Sequence, residues 1–423
     1  MGSTGRRHQG NGELAAVKPR AHLFRERSEH DHTPVTYIEL FFDLVFVFAI
    51  TQLSHRLFSH LTVHGATETL ILFLAIWWVW IYTSWTTNWL DPERANVRLM
   101  LIVMMLGGLA LSSAVPDAFG ATGFLFAVSY VAMQLFRTLY MVWASRGVSE
   151  GRKRNFIRIS FYFFLSAPFW FGGALVGQDW RLGLWAAAIA IEYAGPMVSF
   201  RTPFLGRSTA NDWDISGEHM AERCALFIII ALGEAVLVTG AAYAGLAHGR
   251  QTTTAFVTGF LASATMWWIY FDIGAKRASS MMSTSDNVGF IARNAYTYLH
   301  MPIVAGVVVT AVADQLMLSD PAKAASLSYV LVACGGPWLF LNGNQLFKWI
   351  TSGQKYPPLS HLIGIILLIA VGIGGYLGGW ESLSIGLAVT AALIATAFWE
   401  WLSLHGGWQR WAPWMGTVFA RKT

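Results

Sequence analysis

Apolar runs of about 20 residues, separated by short polar connections, recur from residue 35 onward, and they constrain this chain more than any other feature. A helix of about 20 residues crosses the hydrocarbon core of a bilayer. Inside that core backbone N–H and C=O groups are satisfied only within helices or closed barrels. Twelve candidate spans fall at roughly 35–59, 66–88, 97–115, 121–145, 156–176, 181–200, 217–244, 252–275, 289–312, 324–347, 359–379 and 382–404. Their connections carry turn residues: Asp91-Pro92, Pro116-Asp117, Gly177 to Asp179, Pro357-Pro358 and Gly378-Gly379. Only 13% of the 423 residues are charged, against about 25% in an average soluble domain. The expected class is therefore an all-α polytopic membrane protein.

The charges that remain are distributed unevenly. With the N-terminus in the cytoplasm, twenty-three Lys and Arg residues fall in cytoplasmic segments and four, Arg56, Arg181, Arg250 and Lys323, in outer loops. That asymmetry predicts cytoplasmic N- and C-termini and an even number of spans. The net charge of +5 then belongs to membrane-flanking loops and gives no reason to expect nucleic acid as a partner. Residues 1–34 are polar and rich in Gly, Arg and His, and read as a disordered cytoplasmic tail. They contain no short apolar region followed by a small-residue cleavage site, so they do not read as a signal peptide. Residues 406–423 read as a short cytoplasmic tail. Cys224 and Cys334 both lie in apolar runs and define neither a disulfide framework nor a zinc site.

The chain also shows weak self-similarity. Glu39 corresponds to Glu222, Trp80-Ile81-Tyr82 to Trp268-Ile269-Tyr270, Ser129-Tyr130-Val131 to Ser328-Tyr329-Val330, and Gly172-Gly173 to Gly374-Gly375. The separations rise in order, as a duplicated unit with small loop insertions would give. The expectation is about twelve transmembrane helices as two parallel six-helix repeats, 35–200 and 215–405. Repeat interfaces are where substrate paths lie in many transporters.

Against this apolar background the buried charges carry the functional argument, because an intramembrane ionisable group is costly and usually has a use. Glu39 and Asp43 lie four apart in the first span and share a helix face. The seventh span carries Glu222, Arg223, Gly233 and Glu234. Glu39, Asp43, Glu222 and Glu234 are candidates for a proton or cation path, with Glu234, deep and without a partner in its own span, the first candidate for titration. Arg223 and Arg137, the two intramembrane arginines, are candidate counter-charges, each expected to meet an acid. Gly233 is a candidate point of close helix approach. Further buried polar groups are Gln134, Glu192, Asp272, His300 ahead of Pro302, Asn342, Asn344, Gln345 and Glu400. The structural alternative for all of these is interhelical ion pairing and hydrogen bonding without transport. The Trp groups at 77–80 and 267–268 read as interface or packing residues. No HExxH, GxSxG, P-loop or dinucleotide-binding pattern occurs, so neither an enzyme, a metal site nor a cofactor is expected.

Two stretches resemble the bacterial low temperature requirement protein A (LtrA) family. They are Glu39-Leu-Phe-Phe-Asp43-Leu-Val-Phe-Val-Phe-Ala-Ile50-Thr-Gln-Leu-Ser54, and Glu222-Arg223 through Ala231-Leu-Gly233-Glu234-Ala. Number and spacing of spans agree over about 35–405. The resemblance implies a bacterial cell (inner) membrane protein associated with growth at low temperature. Its signature positions are Glu39, Phe42, Asp43, Glu222, Arg223, Gly233 and Glu234. Phe41-Phe42-Asp43 also resembles the Phe-Ser-Asp signature that opens each six-helix repeat of a lysosomal and bacterial potassium-channel family, with Phe42 in place of Ser and no Asp in span seven. Two functions are consistent with these features. One is an ion- or proton-coupled transporter or channel moving a small ion or solute. The other is a membrane scaffold or sensor of membrane state, in which the same carboxylates act as glue. Membrane lipids are expected partners in both.

Overall fold

The computed structural model describes residues 20–26, 34–209, 213, 216–272, 292–352 and 356–404. Among them are twelve long α-helices and no extended strands. They are α1 Tyr37–Ser59, α2 Val63–Trp89, α3 Ala95–Ala114, α4 Gly123–Ser145, α5 Glu150–Leu175, α6 Gln178–Met197, α7 Gly217–Ala244, α8 Arg250–Phe271, α9 His300–Ser319, α10 Leu327–Ser352, α11 Leu359–Leu377 and α12 Ser382–Leu404. Nine of these are both long and apolar enough to cross a membrane. α5, α6 and α10 are long enough but more polar. α5 opens with Arg152, Lys153, Arg154 and Arg158, α6 holds Arg181 and Glu192, and α10 holds Asn344, Gln345 and Lys348.

The apolar surface is turned outward. On α11, Leu362, Ile366, Ile369 and Ile373 are each 44–58% exposed along one helical face. α3 likewise exposes Leu99, Ile102, Val103 and Leu106. Meanwhile Glu39, Asp43, Arg137, Arg223 and Asn344 are fully enclosed. Large apolar residues outside and charges inside are what a lipid solvent selects.

α2, rather than α1, is the most enclosed helix. Trp77, Trp78 and Trp80 are at most 2% exposed. Trp78 stacks on Tyr193 of α6 with centroids 3.8 Å apart. The indoles of Trp77 and Trp85 donate to the carbonyl (2.8 Å) and hydroxyl (3.0 Å) of Thr297. Trp77 and Trp78 thus pack in the interior, whereas Trp267 and Trp268 are about half exposed.

Two expectations need correction here. The expected ninth span, 289–312, runs on to Ser319, and its α-helical part starts at His300. A π-helical turn, Ala292–Tyr298, precedes it, and Pro302 sits in the first helical turn, where its missing N–H costs nothing. Proline marks this helix's start instead of breaking its middle, and the helix extends through Asp314 to Ser319. Secondly, residues 20–26 of the expected tail are docked. Leu23 and Phe24 are buried, Arg25 N donates to Trp89 O at 2.9 Å, and Asp91 N donates to Leu23 O at 2.9 Å. Residues 1–19, 27–33 and 405–423 lie outside the described residues, and the expected tails over them with them.

Small residues set the closest helix contacts. A Cβ on Gly306 of α9 would fall 2.6 Å from Phe340 N, and one on Gly336 of α10 2.7 Å from Thr310 N. α9 and α10 therefore touch backbone to backbone. Gly233 does not serve this purpose: it is exposed, with nothing within 4 Å of an added Cβ.

Candidate functional site at the α1–α7 seam

The site begins with two helix starts placed side by side. α1 is capped by Thr36, whose backbone N–H and hydroxyl both donate to Glu39 Oε2 at 2.9 Å. This is the reciprocal half of a capping box, and it fixes Glu39 at the third helical position. α7 is capped by Ser216, whose hydroxyl accepts from His219 N at 3.3 Å, so His219 holds the same position in α7. The two residues meet, with His219 Nε2 3.0 Å from Glu39 Oε1. One turn on, Arg223 Nη2 lies 2.7 Å from Asp43 Oδ1. Thr51, two turns beyond Asp43, lies 2.5 Å from Glu234 Oε1. Residue numbers rise together along the seam, so α1 and α7 run parallel, the acids at its start on α1 and the bases on α7.

The surroundings complete the set. Asp43 Oδ1 also accepts from the Trp80 indole at 2.8 Å, and Arg223 Nη2 donates to Ser84 Oγ at 3.2 Å. Asn88 exchanges 2.8 Å hydrogen bonds with the Ser216 backbone in both directions. That pair orients its amide so that Nδ2 faces His219 Nδ1 at 3.3 Å. His219 Nε2 lies between Glu39 Oε1 and Arg25 Nη2, at 3.0 and 3.2 Å, and with the proton on Nε2 a neutral His219 donates to Glu39. Arg25, from the docked segment, reaches in. Its Nε donates to Thr87 O at 2.9 Å and its Nη2 to Glu39 Oε2 at 3.0 Å. Arg223 Nη1 stands 3.8 Å from Glu39 Oε1.

With His219 neutral, two carboxylates face two guanidiniums and the cluster carries no net charge. That balance lets it lie fully buried, since an unmatched charge there would cost several kcal/mol. Asp43 Oδ2 and Arg223 Nε and Nη1 nevertheless have no hydrogen-bond partner among the described residues.

The other predicted residues separate from this cluster. Glu222 is half-buried, and its Oε2 accepts from Val35 N at 3.1 Å. The residue level with Glu39 is His219, because the helices align at their caps, so the expected equivalence of Glu39 and Glu222 fails in position. Arg137 meets no carboxylate among the described residues. It donates to Val79 O at 3.2 Å and to Gln134 Oε1 at 2.5 Å, and it lies over the rings of Tyr82 and Phe163 at 5.1 and 5.8 Å. Gln134 leads on to the Tyr130 hydroxyl, which donates to Glu192. Glu192 also accepts from Ser166 and Trp170. Side-chain hydrogen bonds, not direct contact, thus connect this second acid and base.

At the remaining positions, His300 Nδ1 donates to Ala295 O at 2.8 Å, and its Nε2 lies 2.7 Å from Tyr270 Oη. Glu400 pairs with Lys348 at 2.8 Å. Arg56, expected in an outer loop, is buried in α1 and pairs with Glu68 at 2.6 Å.

Among the contributors missed in the sequence are Arg25, Trp80, Ser84, Asn88 and His219. Thr36-Tyr-Ile-Glu39 is a readable capping box, and Ser216-Gly-Glu-His219 repeats its spacing, so aligning the caps would have brought His219 opposite Glu39. Nothing local marks Arg25, which lies outside the apolar runs.

The comparisons with known proteins bear on this same region. The model for "Bacterial low temperature requirement A protein (LtrA)" matches residues 34–400. A protein of Rhizobium meliloti (strain 1021), described as uncharacterized, is 38% identical over 358 residues, covering 85% of this chain and 87% of that one. No solved structure matches. The family match spans both helices of the seam and every charged side chain in it except Arg25, and on that extent the chain belongs to the bacterial low temperature requirement A family.

Proposed function

We propose that this protein is an ion- or proton-coupled transporter or channel of a bacterial membrane, with the α1–α7 seam lining the path. The observation that carries the reading is the Thr51–Glu234 contact. The Thr51 hydroxyl lies 3.1 Å from Val47 O and 2.5 Å from Glu234 Oε1, yet it has a single proton to give. The hydroxyl can turn to either acceptor, and it sets a half-buried carboxyl of α7 against a polar group of α1 further along the seam from the charged cluster, which supports a polar path there. Glu39 and Asp43 with their bases then form a charge-balanced closure at the start of the same seam.

In this reading the twelve helices cross the membrane as two parallel six-helix halves, with both termini cytoplasmic. The experiment is proton flux into liposomes carrying a pH-sensitive dye, under an imposed proton or potassium gradient. Wild type is compared with Glu234→Gln. Flux in wild type that is lost in a folded E234Q protein is the expected result. Equal flux in both removes Glu234 from the path.

The buried Asp43–Arg223 ion pair favours a second reading, in which the cluster is interhelical glue in a scaffold or a sensor of membrane state. No flux under any gradient, with E39Q and D43N merely less stable, supports that version.

A further inference from the structure

Because α9 continues to Ser319, Asp314 falls within the helix, in the half away from His300 and about 21 Å along the axis from it. It is 7% exposed. Its Oδ2 is buried without a hydrogen-bond partner, and no ion pair involves it among the described residues. The carboxyl lies against the bare backbone of α8: a Cβ on Gly259 would sit 3.1 Å from Asp314 Cγ and 3.3 Å from Oδ2. Tyr329 of α10 is the neighbouring titratable group, and its hydroxyl donates to Ser382 O at 2.9 Å. Among the described residues no cation pairs with Asp314, unlike Asp43, Glu39 or Glu400.

An unpaired carboxylate in such surroundings is far more costly than the neutral acid. We propose that Asp314 is a proton-binding site in the second half of the bundle. It holds its proton while α8 is seated at Gly259, and it releases that proton only when α8 withdraws and admits water. The site lies on α8, α9 and α10 and does not depend on the α1–α7 path.

Infrared spectroscopy of the whole protein in lipid tests this directly. Protein grown with carboxyl carbon-13 aspartate is compared with unlabelled protein at neutral pH, and each with Asp314→Asn. The expected result is a protonated-carboxyl C=O band that shifts with the aspartate label and disappears in D314N. Glutamic acids do not shift with that label, so the outcome is separate from that of the flux experiment. Absence of an aspartic-acid band from labelled wild type overturns the proposal, even if no variant folds. Persistence of the band in D314N, or in Asp314→Ser should D314N not fold, also overturns it. In the folded protein, Gly259→Ala is expected to loosen the α8 contact and move the disappearance of the band to lower pH. An unmoved titration refutes the role given to α8.

Discussion

The α1–α7 cluster makes a quantitative prediction through the Asp43–Arg223 pair. Arg223→Gln leaves Asp43 with the Trp80 indole as its remaining donor and takes a charge-balanced, fully buried group to a net charge of −1. At a charge separation of about 4 Å and an effective dielectric of about 20, the direct attraction is about 4 kcal/mol. Removing one member of a buried pair typically costs about 3–5 kcal/mol. Asp43→Asn has the mirror effect, softened because Glu39 remains 3.8 Å from Arg223 Nη1. The double variant restores neutrality, so it should recover about 1.5–3 kcal/mol relative to the sum of the singles. Equilibrium unfolding in mixed micelles, followed by tryptophan fluorescence, measures all four proteins. Additivity within about 0.5 kcal/mol would refute the pairing and the charge-balance argument built on it.

Four further outcomes follow from named positions. Gly336→Ala, whose Cβ would lie 2.7 Å from Thr310 N, should lose about 1–3 kcal/mol by overpacking. Gly233→Ala, in open space, should be neutral or stabilise by up to about 1 kcal/mol, and the same unfolding series reads both. Lys348→Met strands Glu400, which Lys348 otherwise meets through both oxygens at 2.8 Å. It should cost about 3–5 kcal/mol, most of it regained on adding Glu400→Gln. Arg25→Ala removes the bonds to Thr87 O, Leu90 O and Glu39. It should speed tryptic cleavage at Arg20, and an unchanged rate would show that the segment is held without it.

The local pattern was sufficient for much of this molecule. Apolar runs and turn residues place a helix at each of twelve positions, because length and hydropathy are properties of one segment in one solvent. The same pattern singles out Glu39, Asp43 and Arg223 as charges that need a reason to be buried. It could not supply their partners. Which acid meets which base depends on the rotation and depth of each helix, and those are set by packing elsewhere. The tryptophans of α2 enclose the site, the caps align α1 with α7, and the glycines of α9 and α10 bring those helices into contact. Hence His219 rather than Glu222 came level with Glu39, Gly233 faced open space, and Arg137 received Gln134 and a carbonyl in place of an acid. Asp314 lies within a helix because α9 runs on to Ser319. A periodic sequence states which faces are apolar; the fold decides which two faces touch, since that choice balances contacts from residues more than a hundred positions apart.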